Sequence, residues 1–341
     1  GAATYDSTET GYAIENELKR LSMSAPYKVD VIFKIESRTG TEEAGTASTL
    51  TDTAKAQFLS TDPTNEKVIH NTTDDTWAVV TGYTSTSVLT LSADIMDDGE
   101  DYEIYNKRCR NRRQIYIGDM PLYQWVDSVE YPVGTERNFQ MVGKDVIELD
   151  VDDATIEDSD STLTTLNEVD VLVRLAIPQV LSQLTDWSGE LTANAAAGVA
   201  TIAIDGMGTT EVIEVGEVFN LENHRSIYVV TTQVTMVAGA GSLVFYPALE
   251  AASSDNDDIT FVKSSLKTVH EDLLERMVVS RLVQSDMIRH INATPIGGAS
   301  TMREYQAWIN NNPLTSPVMI QRDLEKEAFS NKKRYKTCSR A

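Results

Sequence analysis

Two long stretches of this 341-residue chain are alike in composition and differ from the sequence around them. They cover residues 40–106 and 189–262, and both are rich in Thr, Ser, Val, Gly and Asp but poor in Lys and Arg. Short alternating runs within them are separated by turn residues, which is typical of small all-β units. We therefore expect two all-β modules, each a barrel or a sandwich, and a role in scaffolding more than in catalysis.

The sequence around the two stretches has a mixed pattern. Ile14, Leu18 and Leu21 share one face of a helix predicted over residues 7–21, and an apolar stripe from Leu266 to Ile291 predicts a helix of about 26 residues. Residues 301–304 have the form of a capping box, and a further helix is expected at 321–329. Residues 114–173 read as a strand-rich core.

These patterns predict an α+β fold: a helical and strand-rich connector domain with two inserted all-β modules, each a barrel or a sandwich. The predicted parent domain comprises residues 1–39, 107–188 and 263–330. Module 1 covers residues 40–106, module 2 covers residues 189–262, and residues 331–341 form a basic C-terminal tail. Insertion at loop tips is inexpensive because closure entropy grows slowly with loop length.

The formal net charge of −23 limits the partners of the chain. A general surface of this sign repels nucleic acid, so DNA is expected to pass such a protein without specific binding. No run approaches the roughly 18 apolar residues of a membrane span, and the first residues lack a signal-peptide pattern. Cys109 and Cys338 are expected to be free thiols, because they belong to no metal-spaced cluster.

The sequence offers no recognisable catalytic or metal site. His270-Glu271 lacks the second histidine of a zinc-protease helix. The acidic stretch over residues 150–160 has Ala154 and Thr155 where a calcium-binding loop needs an acceptor and a glycine, which favours a solvated loop. We therefore predict a protein that is not an enzyme and needs no cofactor or metal.

Two basic clusters stand out in this acidic chain, one after module 1 and one at the C-terminus. Positive segments on an acidic particle can dock on acidic neighbours, and Tyr335 would add an apolar anchor. The alternatives are a charged strand edge and a disordered end. The predicted interface residues are Arg108, Arg110, Arg112, Arg113, Lys332, Lys333, Arg334, Tyr335, Lys336 and Arg340.

Residues 112–119 (RRQIYIGD) and 129–134 (VEYPVG) carry a family resemblance. Together with the helical pattern of the C-terminal part, they resemble the head-to-tail connector, or adaptor, proteins of tailed bacteriophages. The resemblance implies a ring, often of twelve copies, that binds the portal protein and tail or neck proteins and encloses part of the DNA channel. It also implies a location in the virion neck after synthesis in the host cytoplasm, with residues 331–341 reaching into the portal.

The sequence therefore predicts a structural virion protein that connects the capsid portal to the tail. One alternative is another phage neck, tail or host-surface-binding protein. Recognition of carbohydrate would then require Trp77, Trp187 and Tyr83 to be exposed and close together. A second alternative, a hydrolase, would require a cleft that joins a histidine to a carboxylate, and the spacing indicates none.

Overall fold

The computed structural model describes residues 6–36, 38–152, 156, 169–183, 185–293, 303, 307, 311, 316 and 319–326. The fold is strand-rich, with a closed six-stranded barrel and a half-barrel, and a helical connector domain is not shown. The predicted α+β fold with a helical connector domain is therefore wrong. The helical periodicities were real but few, whereas short strands between turns account for most of the regular structure.

The chain forms two compact units. Unit 1 comprises Gly1–Lys28, Ala176–Asp186 and Val262–Ala341, and unit 2 comprises Val29–Leu175 and Trp187–Phe261. The central strands thus share a unit with both β-rich stretches. The boundaries predicted for two inserted modules, a parent domain and a tail stay a prediction.

Unit 1 contains helix α1 (Ser7–Ser24), helix α2 (Thr268–Ala293) and helical residues 319–326. Asp6 caps α1, because its side chain accepts a hydrogen bond of 2.8 Å from the backbone N–H of Glu9. The two helices confirm the predictions for residues 7–21 and 266–291. Their apolar stripes meet in one core, which includes Leu21, Leu273, Met277, Ile320 and Leu324.

Two small sheets lie at the centre of unit 2. Their strands are β1 (Tyr27–Ile35), which begins in unit 1, and, further along the chain, β8 (Gln114–Tyr116), β9 (Trp125–Glu130), β10 (Glu136–Arg137), β11 (Phe139–Val142), β12 (Val146–Leu149) and β13 (Val169–Ile177). The strand orders are β1-β13-β9-β10 and β11-β12-β8. Most of the acidic loop predicted after Val151 lies outside the described residues.

Residues 39–105 form the half-barrel, with strand order β2-β7-β4-β5-β6-β3. Leu50, Ile69 and Ile104 are fully buried in its core. Its strands are β2 (Thr39–Thr41), β3 (Thr49–Thr51), β4 (Val68–Asn71), β5 (Thr76–Ser85), β6 (Val88–Leu91) and β7 (Asp101–Tyr105).

The closed barrel follows β13 and has the strand order β14-β15-β20-β18-β17-β21. Its core is aromatic: the Phe219 ring lies 5.3 to 5.4 Å from the rings of Tyr228, Phe245 and Phe261. The strands are β14 (Trp187–Leu191), β15 (Thr201–Asp205), β17 (Val218–Leu221), β18 (Ile227–Thr232), β20 (Gly241–Tyr246) and β21 (Asp258–Val262), beside the small pair β16 (Val212–Ile213) and β19 (Val234–Thr235).

Candidate functional site

The first basic cluster forms a loop between β7 and β8, which we call the arginine loop (residues 106–113). It turns tightly: Arg108 has a φ of 58°, and the backbone N–H of Cys109 donates to the carbonyl of Asn106 at 2.9 Å. The turn buries the Cys109 side chain, and burial raises the pKa of its thiol to about 12. The thiol is therefore protonated and unreactive at neutral pH, and it anchors the loop.

Two arginines of the loop are exposed and lie over aromatic rings. The guanidinium carbon of Arg110 is 5.6 Å from the ring centroid of Trp77, and that of Arg108 is 5.5 Å from the ring centroid of Tyr116. Both distances fall within the range of cation–π attraction. The rings thus hold the two guanidinium groups in place while leaving their N–H groups accessible.

Trp77 belongs to an aromatic row on the outside of the half-barrel. Its ring stacks on His70 with 3.9 Å between centroids and lies 5.6 Å from Tyr105. His70 and Trp77 are directly opposite on β4 and β5, so their side chains emerge on the same face. This row gives Arg110 a rigid support.

The other two arginines of the cluster, Arg112 and Arg113, are half-buried and interact with other residues of the protein. Arg113 lies 3.5 Å from the Glu148 carboxylate and donates to the Val151 carbonyl at 3.3 Å. Arg112 also has interactions within the protein. Of the predicted interface residues, the structure thus brings Arg108 and Arg110 to the surface. The remaining six, which are Lys332, Lys333, Arg334, Tyr335, Lys336 and Arg340, lie outside the described residues.

A cleft of about 410 Å³ lies beside the arginine loop, within unit 2. Lys107 and Tyr116 border both features. One wall is the turn at residues 59–65 of the half-barrel, and the opposite wall consists of barrel residues 197–200 and 246–250. Sequence reasoning missed the cleft because these segments are far apart in the chain and carry no motif.

A buried ionic cluster fixes the half-barrel to β1. Arg38 forms bidentate ion pairs with Glu36 and Asp62, at 2.8 to 2.9 Å, and Lys67 pairs with Glu36 at 2.7 Å. Burial alone would raise the pKa of the Glu36 carboxyl, but the charges of Arg38 and Lys67 hold it well below its usual range. Glu36 therefore stays ionised in this buried position, between two cationic side chains.

A second polar contact fixes the closed barrel to the edge of β1. The hydroxyl of Ser226, which is buried, accepts a hydrogen bond of 2.7 Å from the backbone N–H of Ile32 and donates to Glu250 at 2.7 Å. The half-barrel is thus attached at the C-terminal end of β1 through the ion pairs, and the closed barrel is attached at the edge of β1 through the hydrogen bond of Ile32. The half-barrel and the closed barrel both contribute residues to the lining of the cleft.

Two of the histidines contact neighbouring polar side chains: His70 pairs with the Asp75 carboxylate at 3.0 Å, and His224 pairs with hydroxyl groups. His224 bridges the hydroxyls of Tyr228 and Ser253, the second at 2.9 Å. Tyr228 is protonated, since burial raises its pKa far above neutrality. It donates to Nδ1 of neutral His224, which leaves Nε2 as a donor to Ser253 and not as a base. His70 belongs to the aromatic row.

The three aromatic residues considered for carbohydrate recognition do not form one platform. Tyr83 packs against the half-barrel core, Trp187 packs against the barrel core, and Trp77 lies under Arg110. Within the described ranges, no group of three or more His, Cys, Asp or Glu side chains is placed to hold a metal ion. No helix in the described part of the chain is both long and apolar enough to span a membrane.

The fold and its exposed features thus define a two-unit, strand-rich protein with a supported cationic loop and a cleft beside it. No protein-family model, curated protein or solved structure matches this chain.

Proposed function

We propose that this chain is a non-enzymatic structural subunit of a tailed-phage particle that docks on a neighbouring protein through Arg108 and Arg110. The observation that carries the proposal is the position of these two arginines. They are exposed on aromatic supports in a chain whose formal net charge is −23.

Prior ordering of the two guanidinium groups favours binding. An arginine that is already held on a ring loses less side-chain entropy when it meets a carboxylate, so more of the interaction energy is retained. A local positive surface on an otherwise acidic subunit also selects one orientation, because other approaches between acidic surfaces are repulsive.

The attachment of both the half-barrel and the closed barrel to β1 also supports a structural role. A subunit that transmits force between neighbours needs modules that keep their orientation. The buried ion pairs of Arg38 constrain the half-barrel, and the hydrogen bond between Ser226 and Ile32 constrains the closed barrel.

The resemblance of residues 112–119 and 129–134 to connector proteins suggests the place of assembly. We propose a ring, of about twelve copies as the resemblance implies, between the portal protein and the tail. The tail at residues 331–341 would be a second docking element, and the genomic DNA would pass an acidic wall without binding. The proposal depends on surface chemistry and sequence resemblance, and not on a helical connector domain.

Charge reversal tests the docking surface. We expect the double variant Arg108→Glu and Arg110→Glu to lose binding to an isolated portal ring in sedimentation velocity, with an effect that shrinks as salt is raised. The control is Lys144→Glu with Lys267→Glu, which makes the same change of charge at two other exposed positions. Equal binding by both double variants would contradict the proposal.

A further inference from the structure

The three lysines that line the cleft are already paired with carboxylates. Lysine ammonium groups are 2.7 to 3.5 Å from carboxylates, and the Glu250 carboxylate accepts hydrogen bonds from Ser226. The lysines therefore have little demand for an anionic ligand, and the Glu250 carboxylate already has three hydrogen-bond donors. The pairs are Lys34 with Asp170, Lys67 with Glu36, and Lys107 with both Glu66 and Asp119.

Tyr246 lines the same cleft, and its hydroxyl has no hydrogen-bond partner among the described residues. The Tyr246 ring is half-buried, with its centroid 6.3 Å from that of Phe33. Burial raises the pKa of this hydroxyl, and the Asp119 charge raises it further, so it remains a proton donor. It would be satisfied by an acceptor on a ligand.

The rest of the lining is apolar at the base and neutral and polar at the rim. Phe33, Ile115 and Leu249 are buried side chains of the base, whereas Ser60, Thr64 and Asn65 are exposed at the rim. Such a lining suits a ligand that has apolar C–H faces and hydroxyl groups and carries no net charge. The cleft volume of about 410 Å³ lies in the range of small-molecule sites.

We propose that this cleft binds a neutral saccharide of one or two sugar units, with the Tyr246 hydroxyl donating to a sugar oxygen. This site is separate from the three aromatic residues considered from sequence. It also goes beyond the assembly role, because a saccharide site on a particle subunit gives it a second, non-protein partner.

The test uses the full chain and saturation-transfer NMR with maltose, lactose and cellobiose as probes. We expect at least one of them to bind, and Tyr246→Phe to weaken that binding about tenfold through loss of one hydrogen bond. Asn65→Ala at the rim should weaken it less. The control is Tyr123→Phe, because the Tyr123 hydroxyl donates to the Lys144 carbonyl at 2.7 Å and does not line the cleft.

Three results would overturn the proposal. These are the absence of binding by all three disaccharides, equal binding by Tyr246→Phe and the parent chain, and stronger binding of glucuronate or glucosamine than of the neutral probes. Thermal unfolding of each variant checks that the fold is intact. Portal binding is measured separately, so the assembly proposal and the saccharide proposal can fail independently.

Discussion

Arg38 and Asp62 form a bidentate ion pair in which neither side chain has any exposure to solvent. The five N–H groups of the guanidinium are all used, by Glu36, Asp62 and the carbonyl of Gln57. The pair joins the segment that follows β1 to the turn at residues 59–65 of the half-barrel. The Arg38–Asp62 pair thereby orients the half-barrel relative to β1 and holds the turn that forms part of the cleft lining.

Replacement of Arg38 by Met should be strongly destabilising. It leaves two buried carboxylates with only Lys67 as a counter-charge, and removal of one partner of a buried pair costs about 3–5 kcal/mol. Urea unfolding gives the free energy. The control is Arg174→Met, which breaks a half-exposed pair with Asp30 and should cost about 0–1 kcal/mol. Similar losses in the two variants would contradict the assigned role of the cluster.

Replacement of Gly40 by Ala should destabilise the half-barrel. A Cβ atom at this position would lie 2.2 Å from the Asp52 carboxylate and 2.5 Å from the Tyr102 hydroxyl, which hydrogen-bond to each other at 2.6 Å. The forced shift should cost about 1–3 kcal/mol and lower the melting temperature.

Gly11→Ala is the matched control for this substitution. No atom lies within 4 Å of the added Cβ, and Gly11 is inside α1. Alanine is the better helix former, so this change should raise stability by up to about 1 kcal/mol. A Gly40→Ala variant that melts at or above the melting temperature of the parent chain would contradict the close approach of Asp52 and Tyr102 to Gly40.

Replacement of Ser226 by Ala should loosen the attachment of the barrel to β1. The Ile32 amide loses its acceptor and Glu250 loses a donor, with a cost of about 1–3 kcal/mol. Hydrogen exchange at the Ile32 amide should become faster. Ser242→Ala, at an exposed strand position, is the control. Unchanged protection of Ile32 would mean that Ser226 does not carry the attachment.

Stability should fall as the pH drops below neutrality, in part because of His224. Burial lowers the pKa of its imidazole, and Glu250 and Asp257 oppose this effect only in part. The unfolded chain, with a histidine pKa of about 6.5, therefore binds more protons in the window below that value. The stability contribution of neutral His224 is complete above that value and declines as pH falls through the window.

The variant His224→Gln tests this pH dependence, because glutamine can still accept from Tyr228 but does not titrate. Unfolding free energies of the two proteins at pH 7.5, 6.5 and 5.5 (about one unit on either side of the histidine value) give the comparison. The difference between them should change in favour of the variant at low pH. A constant difference would contradict the expected shift.

The sequence could predict elements better than architecture. Regular spacing of apolar residues identified α1 and α2, and alternation between turns indicated short strands within residues 40–106, where the structure has β6 and β7 among others. Local periodicity does not show which elements share a core. The central strands, which are predicted to belong to a helical and strand-rich parent domain, lie in the compact unit that contains the barrel and the half-barrel.

For the candidate site too, the sequence indicates the residue types but not how the fold arranges them. A cluster of positive residues is visible in the sequence, but which of them are exposed depends on ring supports that come from distant strands, such as Trp77 on β5. Arg38 and Glu36 are adjacent in sequence to a strand, and only the fold brings Asp62 and Lys67 to them. The sequence carries no signal of the cleft, because the residues that line it come from six separate segments of the chain.

The mass of the purified chain by light scattering, alone and then mixed with a portal ring, tests the central claim most directly. We predict that the chain binds the portal in one large stoichiometric ring. Self-repulsion at −23 per copy favours a monomer in its absence. A chain that stays monomeric beside the portal would contradict the assembly role, whether or not it binds a saccharide.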